Sequence, residues 1–190
     1  MTKKDYILNQ CKNRVVLDLG CVQSLPQTQS PDWLHKQIKD VARWVVGVDT
    51  ANVNIKGYHI IQLNVENLNS YILRGTHWGV IVAGDIIEHL FNAGLFLDGV
   101  KSLDFDKLII TTPNVMSPKY WKLKEHVLSE HTCWYSMKTL TQLLEMKGFK
   151  IIDQSYGFDQ KVNGIRPLFK FLLYKLLPQT GNRILITAKL

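Results

Sequence analysis

Cysteine is scarce in this sequence and follows no recognisable pattern. The 190 residues include three cysteines, Cys11, Cys21 and Cys133. They form no CxxC pair and no Cys/His spacing of the kind that binds zinc. An odd number at irregular spacing also argues against a disulfide framework. We therefore expect three reduced thiols in a cytoplasmic protein.

Long hydrophobic runs are also missing. No uninterrupted apolar run approaches the roughly 20 residues that a membrane-spanning helix needs. Lys3 and Lys4 lie near the start of the sequence, but no apolar stretch of signal-peptide length follows them. With 46% hydrophobic and 21% charged residues, the composition is that of a folded domain. We expect one domain over residues 1–190.

Acidic residues are absent from the C-terminal part of the chain. Asp159 is the last of them, and residues 161–190 contain six of the 23 basic residues. Residues 1–160 hold the other 17 basic residues and all 16 acidic ones, so they are nearly balanced. Because the positive charge is confined to one end, we expect an anionic partner there and no nucleic acid. The six residues are Lys161, Arg166, Lys170, Lys175, Arg183 and Lys189.

Short apolar runs alternate with helical patterns along the sequence. Runs that are hydrophobic on both faces predict a parallel sheet covered by helices on each side, which is a doubly wound α/β fold. Only eight residues lie between Asp49 and Tyr58, too few for a regular crossover helix, so we expect a loop or a vestigial helix there. The predicted strands are residues 14–19, 44–48, 58–63, 78–83, 107–112, 149–152 and 183–189.

Two helices have recognisable starts. Ser30, Pro31 and an acid in the first turn predict a helix whose N-cap is the serine and whose apolar face begins at Trp33. Ser136 predicts the N-cap of a second helix over residues 137–147, which Gly148 ends.

Polar residues and glycines close four consecutive predicted strands. In an open parallel sheet, ligands bind beyond the carboxyl ends of the strands, where the strand order reverses. Gly20 would let a ligand approach the backbone, Asp49 can accept both hydroxyls of a ribose, and Asn64 has the groups that an adenine edge requires. The set comprises Asp18, Gly20 and Cys21 after the first strand, Asp49 after the second, Asn64, Val65 and Glu66 after the third, and Gly84 and Asp85 after the fourth.

These segments resemble class I S-adenosylmethionine-dependent methyltransferases. VVLDLGC is similar to their first motif, VVGVDT to the segment that ends in the ribose-binding acid, and VAGDIIEHL to the fourth-strand motif. LIITTPN followed by EHTCWYSMKTLTQLLEMKGFKI resembles their fifth strand and the helix–strand unit after it. The resemblance covers about residues 14–153. It is closest to a subgroup with an EHL or EHV signature, which includes quinone and small-molecule O-methyltransferases and enzymes of polysaccharide biosynthesis.

The resemblance implies a Rossmann-like, mostly parallel seven-stranded sheet with an antiparallel last strand, and S-adenosylmethionine as the cofactor. Gly20 and Cys21 would lie along its methionine part, Asp49 would hold the ribose, and residues 64–66 would flank the adenine. Asp85 would lie near the methyl group.

The turn after the first strand departs from the family's pattern and also bears on another class of enzyme. The family's glycine-rich turn reads GxGxG, whereas this chain has Val22 and Ser24 where the second and third glycines stand, which puts close backbone contact at Val22 in doubt. The sequence also lacks a GxGxxG there, which argues against a nicotinamide-dependent oxidoreductase.

Asp85, His126 and His131 are candidates for the chemical step. The two histidines precede the helix capped by Ser136, in a loop expected to face the cofactor. A neutral imidazole there can accept a proton from an attacking hydroxyl, the alternative being a structural histidine bonded to backbone.

Asp85, Glu88 and His89 share one face if a helix starts near Asp85, because their spacing is i, i+3, i+4. Certain similar quinone O-methyltransferases bind a metal with such a cluster. We instead expect Asp85 to cap the helix, Glu88 and His89 to support it, and no metal.

Residues 165–177 predict an amphipathic helix flanked by Arg166, Lys170 and Lys175. It would be a lid over the substrate side of the sheet, or a helix on an anionic membrane surface with snorkelling basic side chains.

The sequence therefore predicts a methyltransferase that acts by direct displacement at the sulfonium methyl, where positioning contributes most. The resemblance favours as acceptor an oxygen of a sugar, polysaccharide or lipid-linked intermediate, anionic ones and small molecules included. The altered turn and the short crossover suggest an alternative, a non-catalytic cofactor-binding or interaction protein that keeps the fold.

Overall fold

Nine short strands form two sheets in the computed structural model, which describes residues 1–22, 24–68, 73–118, 130–159 and 177–190. Seven of them make the main sheet, and the other two, β4 and β6, pair with each other. The strands are β1 (Val15–Leu19), β2 (Trp44–Asp49), β3 (Ile60–Gln62), β4 (His77–Trp78), β5 (Val80–Gly84), β6 (Asp104–Phe105), β7 (Leu108–Pro113), β8 (Lys150–Gly157) and β9 (Arg183–Lys189).

The strand order across the main sheet is β3-β2-β1-β5-β7-β9-β8. β9 runs antiparallel to both of its neighbours, β7 and β8, while the other pairings are parallel. This confirms the predicted α/β fold with a mostly parallel seven-stranded sheet and an antiparallel last strand. From β1 the chain moves to β2 and β3 on one side and later returns to β5 on the other. The strand order thus reverses between β1 and β5.

Both faces of the sheet are covered, as the apolar strands require. The described α-helices are α1 (Lys3–Cys11), α2 (Leu25–Thr28), α3 (Leu34–Val41), α4 (Ala93–Lys101) and α5 (Met137–Met146). On one face Val16 of β1 packs with Ile7 of α1 and Ile38 of α3. On the other, Leu17 packs in a larger core with Phe96 of α4, and with Leu140 and Leu144 of α5. Because side chains alternate along a strand, Asp18 faces the α1 and α3 side.

The helix predicted after Ser136 is confirmed as α5. The Ser136 hydroxyl accepts a hydrogen bond from the Thr139 amide, and the Thr139 side chain bonds back to the Ser136 amide, forming a capping box. Gly148 follows the helix with φ of +87°, the left-handed conformation that a helix end favours.

The predicted start of the helix after Ser30 is wrong. α3 begins at Leu34 with Trp33 as N-cap, and the Ser30 hydroxyl instead accepts the Asp32 amide in a local turn. A four-residue helix, α2, occupies part of the preceding segment. The side-chain oxygen of Ser30 thus stabilises a turn two residues on, a common alternative to capping.

Two predicted strands differ from those observed. The run at residues 78–83 is divided: β4 ends at Trp78, and β5 starts at Val80 after Gly79. The third predicted strand, residues 58–63, shrinks to β3, Ile60–Gln62. No helix lies between Asp49 and Ile60, which confirms the expected loop.

Within the described residues, no helix has the length and hydrophobicity that crossing a membrane would require. The predicted helix at residues 165–177 falls almost entirely outside the described residues, as do four of the six basic residues near the C-terminus. The prediction of one domain over residues 1–190 stays a prediction.

Candidate functional site

A cavity of about 620 Å³ lies at the carboxyl ends of β1 and β5, where the strand order reverses. This volume is within the range of small-molecule sites. Its lining includes four of the nominated cofactor residues, Asp18, Gly20, Cys21 and Gly84. Carboxylates and amines both contribute to the remaining lining, so the cavity suits a zwitterionic ligand part. These further residues include Lys3, Lys4, Asp32, Trp33, His35 and Asp159.

The turn after β1 forms one side of the cavity. Gly20 has φ of +74°, which favours glycine, and a Cβ there would stand 2.5 Å from Cδ1 of Ile86, so that the Ile86 side chain would have to shift. Its amide donates to the carbonyl of Val48 on β2. The indole of Trp33 donates a 2.7 Å hydrogen bond to the carbonyl of Cys21. The turn that lacks the family's later glycines is therefore held by neighbouring strands and side chains.

Cys21 is buried in this turn. Burial, together with the nearby carboxylates of Asp18 and Asp49, raises the pKa of its thiol well above the usual range. Cys21 is therefore a protonated thiol among the residues that line the cavity.

Asp49, the predicted ribose ligand, is buried at the end of β2. One carboxylate oxygen accepts the amide of Val22 at 2.8 Å, and the other accepts the amide of Ala51 at 3.0 Å. Because each carboxylate oxygen can accept more than one hydrogen bond, these contacts leave acceptor capacity for a ribose. In the described structure Asp49 fixes the turn after β1, and its contact with ribose stays a prediction.

The predicted adenine-flanking residues have structural partners. Asn64 accepts the amide of Glu66 and thereby caps the 3₁₀ turn Val65–Asn67. The Glu66 carboxylate accepts the backbone amide of Asn92 just before α4. Val65 is buried in the larger core. None of the three is among the described residues that line the cavity, so their role at an adenine is untested.

Asp85 lies just beyond β5, with φ of +53°. One oxygen of its carboxylate lies 2.5 Å from Nζ of Lys3 and 3.1 Å from a guanidinium nitrogen of Arg183. The other oxygen accepts a 3.0 Å hydrogen bond from the Thr111 hydroxyl. Burial alone would raise its pKa, but the positive charges of Lys3 and Arg183 outweigh that effect and hold the pKa below its ordinary value. Asp85 is therefore a charged, fully engaged group at the edge of the site.

The expectation that Asp85 caps a helix carrying Glu88 and His89 is wrong. The segment forms a 3₁₀ turn, Ile87–His89, whose N-cap is Ile86 without a side-chain cap. Asp85 has a left-handed backbone, and its carboxylate is engaged by Lys3, Arg183 and Thr111 instead of capping that segment. The three side chains consequently do not form an i, i+3, i+4 helical face.

Glu88 is buried, and the charge of Asp85 acts on it. The hydroxyl of Thr112 on β7 donates a 2.8 Å hydrogen bond to its carboxylate. Burial, followed by repulsion from Asp85, raises the pKa of Glu88 to about 7. A carboxyl with such a pKa can give up or take a proton near neutral pH.

Two histidines face Glu88. His89 and His131 meet edge to face with ring centroids 4.7 Å apart. One ligand-type atom from each of Glu88, His89 and His131 lies within 4.8 Å of the other two, so the cluster can hold a cation. Burial, followed by unfavourable electrostatic interactions with His89 and Arg183, lowers the pKa of His131. At neutral pH its imidazole is therefore a proton acceptor.

Backbone contacts place His131 in this cluster. The amides of Thr132 and Cys133 donate to the carbonyl of Glu88 at 2.8 and 3.1 Å. The Thr132 hydroxyl donates to the carbonyl of Leu90. This docking brings together residues 88 and 131. The other nominated histidine, His126, lies outside the described residues.

Sequence reasoning missed Lys3, His35 and Arg183. His35 had a local signal, because it shares the buried face of α3 with Ile38, at a spacing of three. Lys3 and Arg183 had none, since each meets Asp85 across a large part of the chain. Arg183 also pairs with Asp159, so one of the six C-terminal basic residues is neutralised within the fold.

Comparisons with solved structures show what fold this is. The chain is similar to a SAM-dependent methyltransferase from Archaeoglobus fulgidus, with 20% identity, a TM-score of 0.66, and coverage of 98% of this chain and 90% of that one. It is similar to the 1,6-didemethyltoxoflavin-N1-methyltransferase of Burkholderia thailandensis, solved with S-adenosylhomocysteine, with 14% identity, a TM-score of 0.56 and coverage of 97% and 74%. It is also similar to the [4+2]-cyclase SpnF, with 11% identity, a TM-score of 0.64 and coverage of 97% and 78%.

No protein-family model and no curated protein matches the sequence. At these identities the structural similarities show the fold alone. The chain has the fold of class I S-adenosylmethionine-dependent methyltransferases across nearly its whole length. The similarity to a cyclase shows that this fold is also found in a protein named for a different reaction.

Proposed function

We propose that this protein transfers the methyl group of S-adenosylmethionine to an oxygen of a sugar, polysaccharide or lipid-linked intermediate. The observation that carries the proposal is the cavity at the reversal point of a methyltransferase fold, lined by Asp18, Gly20, Cys21 and Gly84. In an open α/β sheet this is where a nucleotide-type ligand binds.

The amino-acid end of the cofactor would lie in the cavity, along Gly20 and Cys21. Its ribose would reach Asp49, which lies at the end of the neighbouring strand. Asn64, Val65 and Glu66 remain the proposed neighbours of the adenine. The methyl group would then point toward the Asp85 and Glu88 side of the sheet.

The reaction is a displacement at the sulfonium methyl. The acceptor oxygen forms a bond to the methyl carbon, the carbon–sulfur bond breaks, and sulfur keeps the electron pair as S-adenosylhomocysteine. The proton of the acceptor hydroxyl passes to His131, whose lowered pKa leaves it able to accept. His126 stays a second proposed base, and Asp85 would lie near the methyl group.

A metal-assisted form of this reaction is the second candidate. It is favoured by the convergence of one ligand atom each from Glu88, His89 and His131 within 4.8 Å. A divalent cation there would polarise the acceptor hydroxyl and lower its pKa. We retain the metal-free reaction as the proposal, and the two differ in their response to chelation.

The acceptor class rests on the resemblance and on charge. The chain carries a net charge of +7, with four basic residues between 161 and 175 in addition to Arg183 and Lys189. An anionic saccharide or a phosphorylated lipid carrier would be attracted by such a surface. The proposed helix at 165–177 would act as a lid, or would contact an anionic membrane surface.

The test is methyl transfer from radiolabelled S-adenosylmethionine to a panel of neutral saccharides, anionic saccharides and lipid-linked sugars. The proposal predicts label in a saccharide fraction and loss of label with His131→Ala. Activity that survives EDTA supports the metal-free reaction. Activity that EDTA abolishes and magnesium or zinc restores supports the metal-assisted one.

Two outcomes favour other functions. Cofactor binding without transfer to any acceptor would favour a non-catalytic cofactor-binding or interaction protein. Sedimentation with anionic but not neutral vesicles, lost at high salt and in an Arg166/Lys170/Lys175→Ala variant, would support the membrane contact of residues 165–177.

A further inference from the structure

His35 occupies an unusual position for a polar side chain. It lies on α3 and is 1% exposed, facing the sheet beside Trp33 and Tyr58. Its Nδ1 lies 2.8 Å from a carboxylate oxygen of Asp18, and both side chains are buried. Its other ring nitrogen, Nε2, is buried with no hydrogen-bond partner in the described structure.

Burying an imidazole with one unpaired nitrogen is unfavourable for stability, so packing alone does not explain a histidine at this position. A buried polar atom without a partner destabilises the folded state, so an apolar residue would serve packing alone at lower cost. The neighbouring stripe positions of α3 are indeed apolar, with Ile38 fully buried. What the imidazole adds is one directional hydrogen bond to Asp18, which fixes the orientation of that carboxylate.

Asp18 and His35 both line the cavity at the end of β1. The remaining lining has charges of both signs, with Lys3 and Lys4 among the cations and Asp32 and Asp159 among the anions. Lys4 pairs with Asp32 at 3.0 Å, while Lys3 pairs with Asp85 and Asp159 with Arg183. In the described structure Asp18 is bound by a hydrogen-bond donor and not by a lysine or arginine, so its negative charge is available to a cationic ligand group.

We propose that His35 is a positioning residue that orients the Asp18 carboxylate toward the α-ammonium group of the bound cofactor. The inference rests on the proposed function, because it assumes that the cavity receives the amino-acid end of S-adenosylmethionine. His35 touches the carboxylate that binds the cofactor and does not take part in the chemical step. Its effect is therefore expected in affinity for the amino-acid end alone.

Two probes separate this role from a general structural one. S-adenosylhomocysteine carries the α-amino acid group, whereas 5′-methylthioadenosine has the same adenosine and sulfur without it. Calorimetric titration of the full chain with each probe gives a ratio of affinities. We expect His35→Leu to weaken S-adenosylhomocysteine about tenfold, the scale of a lost charge-assisted contact, and to leave 5′-methylthioadenosine within about twofold.

Matched variants test whether Nδ1 of His35 is the atom that gives the preference for S-adenosylhomocysteine. In His35→Asn the side-chain amide nitrogen stands near the Nδ1 position, so this variant should keep most of the wild-type preference for S-adenosylhomocysteine. In His35→Gln the amide nitrogen stands nearer the Nε2 position, so the preference should fall. Asp18→Asn should lose the same preference, and adding His35→Leu to it should cost little more.

Equal loss of both probes in His35→Leu, or an unchanged preference, would overturn the proposal. If His35→Leu does not fold, the comparison of the asparagine and glutamine variants decides in the same way. If the wild-type chain binds neither probe, the proposed function itself fails. Wild-type binding of both probes with equal affinity would instead leave the proposed function standing and overturn only this inference.

Discussion

The two halves of the site are built differently. On the β1–β2 side, the turn after β1 is held by hydrogen bonds between residues close in sequence, in which at most one partner is charged. Trp33 bonds to Cys21 twelve residues away, and His35 bonds to Asp18 seventeen residues away. On the β5–β7 side, the central contact is the ion pair of Lys3 with Asp85, which are 82 residues apart.

In the proposed function, this difference separates binding from chemistry. The β1–β2 side presents a preformed turn suited to hold a ligand in one position. The β5–β7 side gathers buried charge around Asp85 and Glu88, whose pKa values are moved in opposite directions. Groups with displaced pKa values are the ones that proton-transfer chemistry uses. We therefore expect mutations on the two sides to differ in stability, pH dependence and ligand affinity.

The largest expected effect is on the charged side. Asp85→Asn leaves Lys3 without its carboxylate partner at a side-chain exposure of 18%, while Arg183, 14% exposed, keeps only its pair with Asp159. Removing one partner of a buried ion pair costs about 3–5 kcal/mol in the free energy of unfolding. Asparagine also tolerates the left-handed backbone at this position, so the loss reports charge and not strain. Urea denaturation measures it.

The exposed pair of Lys147 with Asp98 supplies the control for that measurement. Its atoms are 2.6 Å apart, but the Asp98 side chain is 52% exposed. Asp98→Asn should change the free energy of unfolding by less than about 1 kcal/mol. Similar losses in the two variants would mean that burial does not distinguish the charged side of the site.

Glu88 should make stability depend on pH. Its pKa is raised from 4.5 to about 7 in the folded chain, so between these values the folded state binds a proton that the unfolded state has lost. Stability is then fully present below pH 4.5 and declines as the pH rises to about 7. The decline is expected to be about 3 kcal/mol and to be absent in Glu88→Gln. Denaturant titrations across this range measure it, and parallel curves for both proteins would refute the assignment.

On the β1–β2 side, Asp49→Ala should lower the affinity for the proposed cofactor. The change leaves the amides of Val22 and Ala51 without their acceptor and removes the proposed ribose contact. We expect binding of S-adenosylhomocysteine to weaken by about 1.5–3 kcal/mol in calorimetry. Asp49→Asn keeps one acceptor oxygen and should lose less. Unchanged affinity in the alanine variant would show that the cofactor lies elsewhere.

Apart from the Asp98→Asn control, the smallest expected effect is outside both sides of the site. Ser136→Ala removes the cap of α5, which packs on the face of the sheet away from the cavity. Loss of a serine N-cap typically costs about 1 kcal/mol of unfolding free energy. Cofactor affinity should not change. A fall in affinity would show that the loop before Ser136 contributes to the cofactor site as well as to the proposed acceptor site.

The same comparison explains what could be predicted from the sequence. Local patterns were enough to predict the sheet and the cap at Ser136, and the structure has both. They also singled out Asp18 and Gly20 at the end of the first strand, and both line the cavity. The arrangement at Asp85 could not be predicted, because a left-handed residue and two distant cations replaced the expected helix. His131 was nominated from the sequence, but its meeting with Glu88 depends on how residues 130–133 dock, which no spacing encodes.

The central claim is that the cavity at the end of β1 binds S-adenosylmethionine and its demethylated product. Calorimetric titration of the wild-type chain with S-adenosylhomocysteine tests it most directly. The structure predicts saturable binding at one site per chain, with an affinity that falls in Asp49→Ala. Absence of binding at millimolar ligand, with the chain shown to be folded by circular dichroism, would contradict the claim.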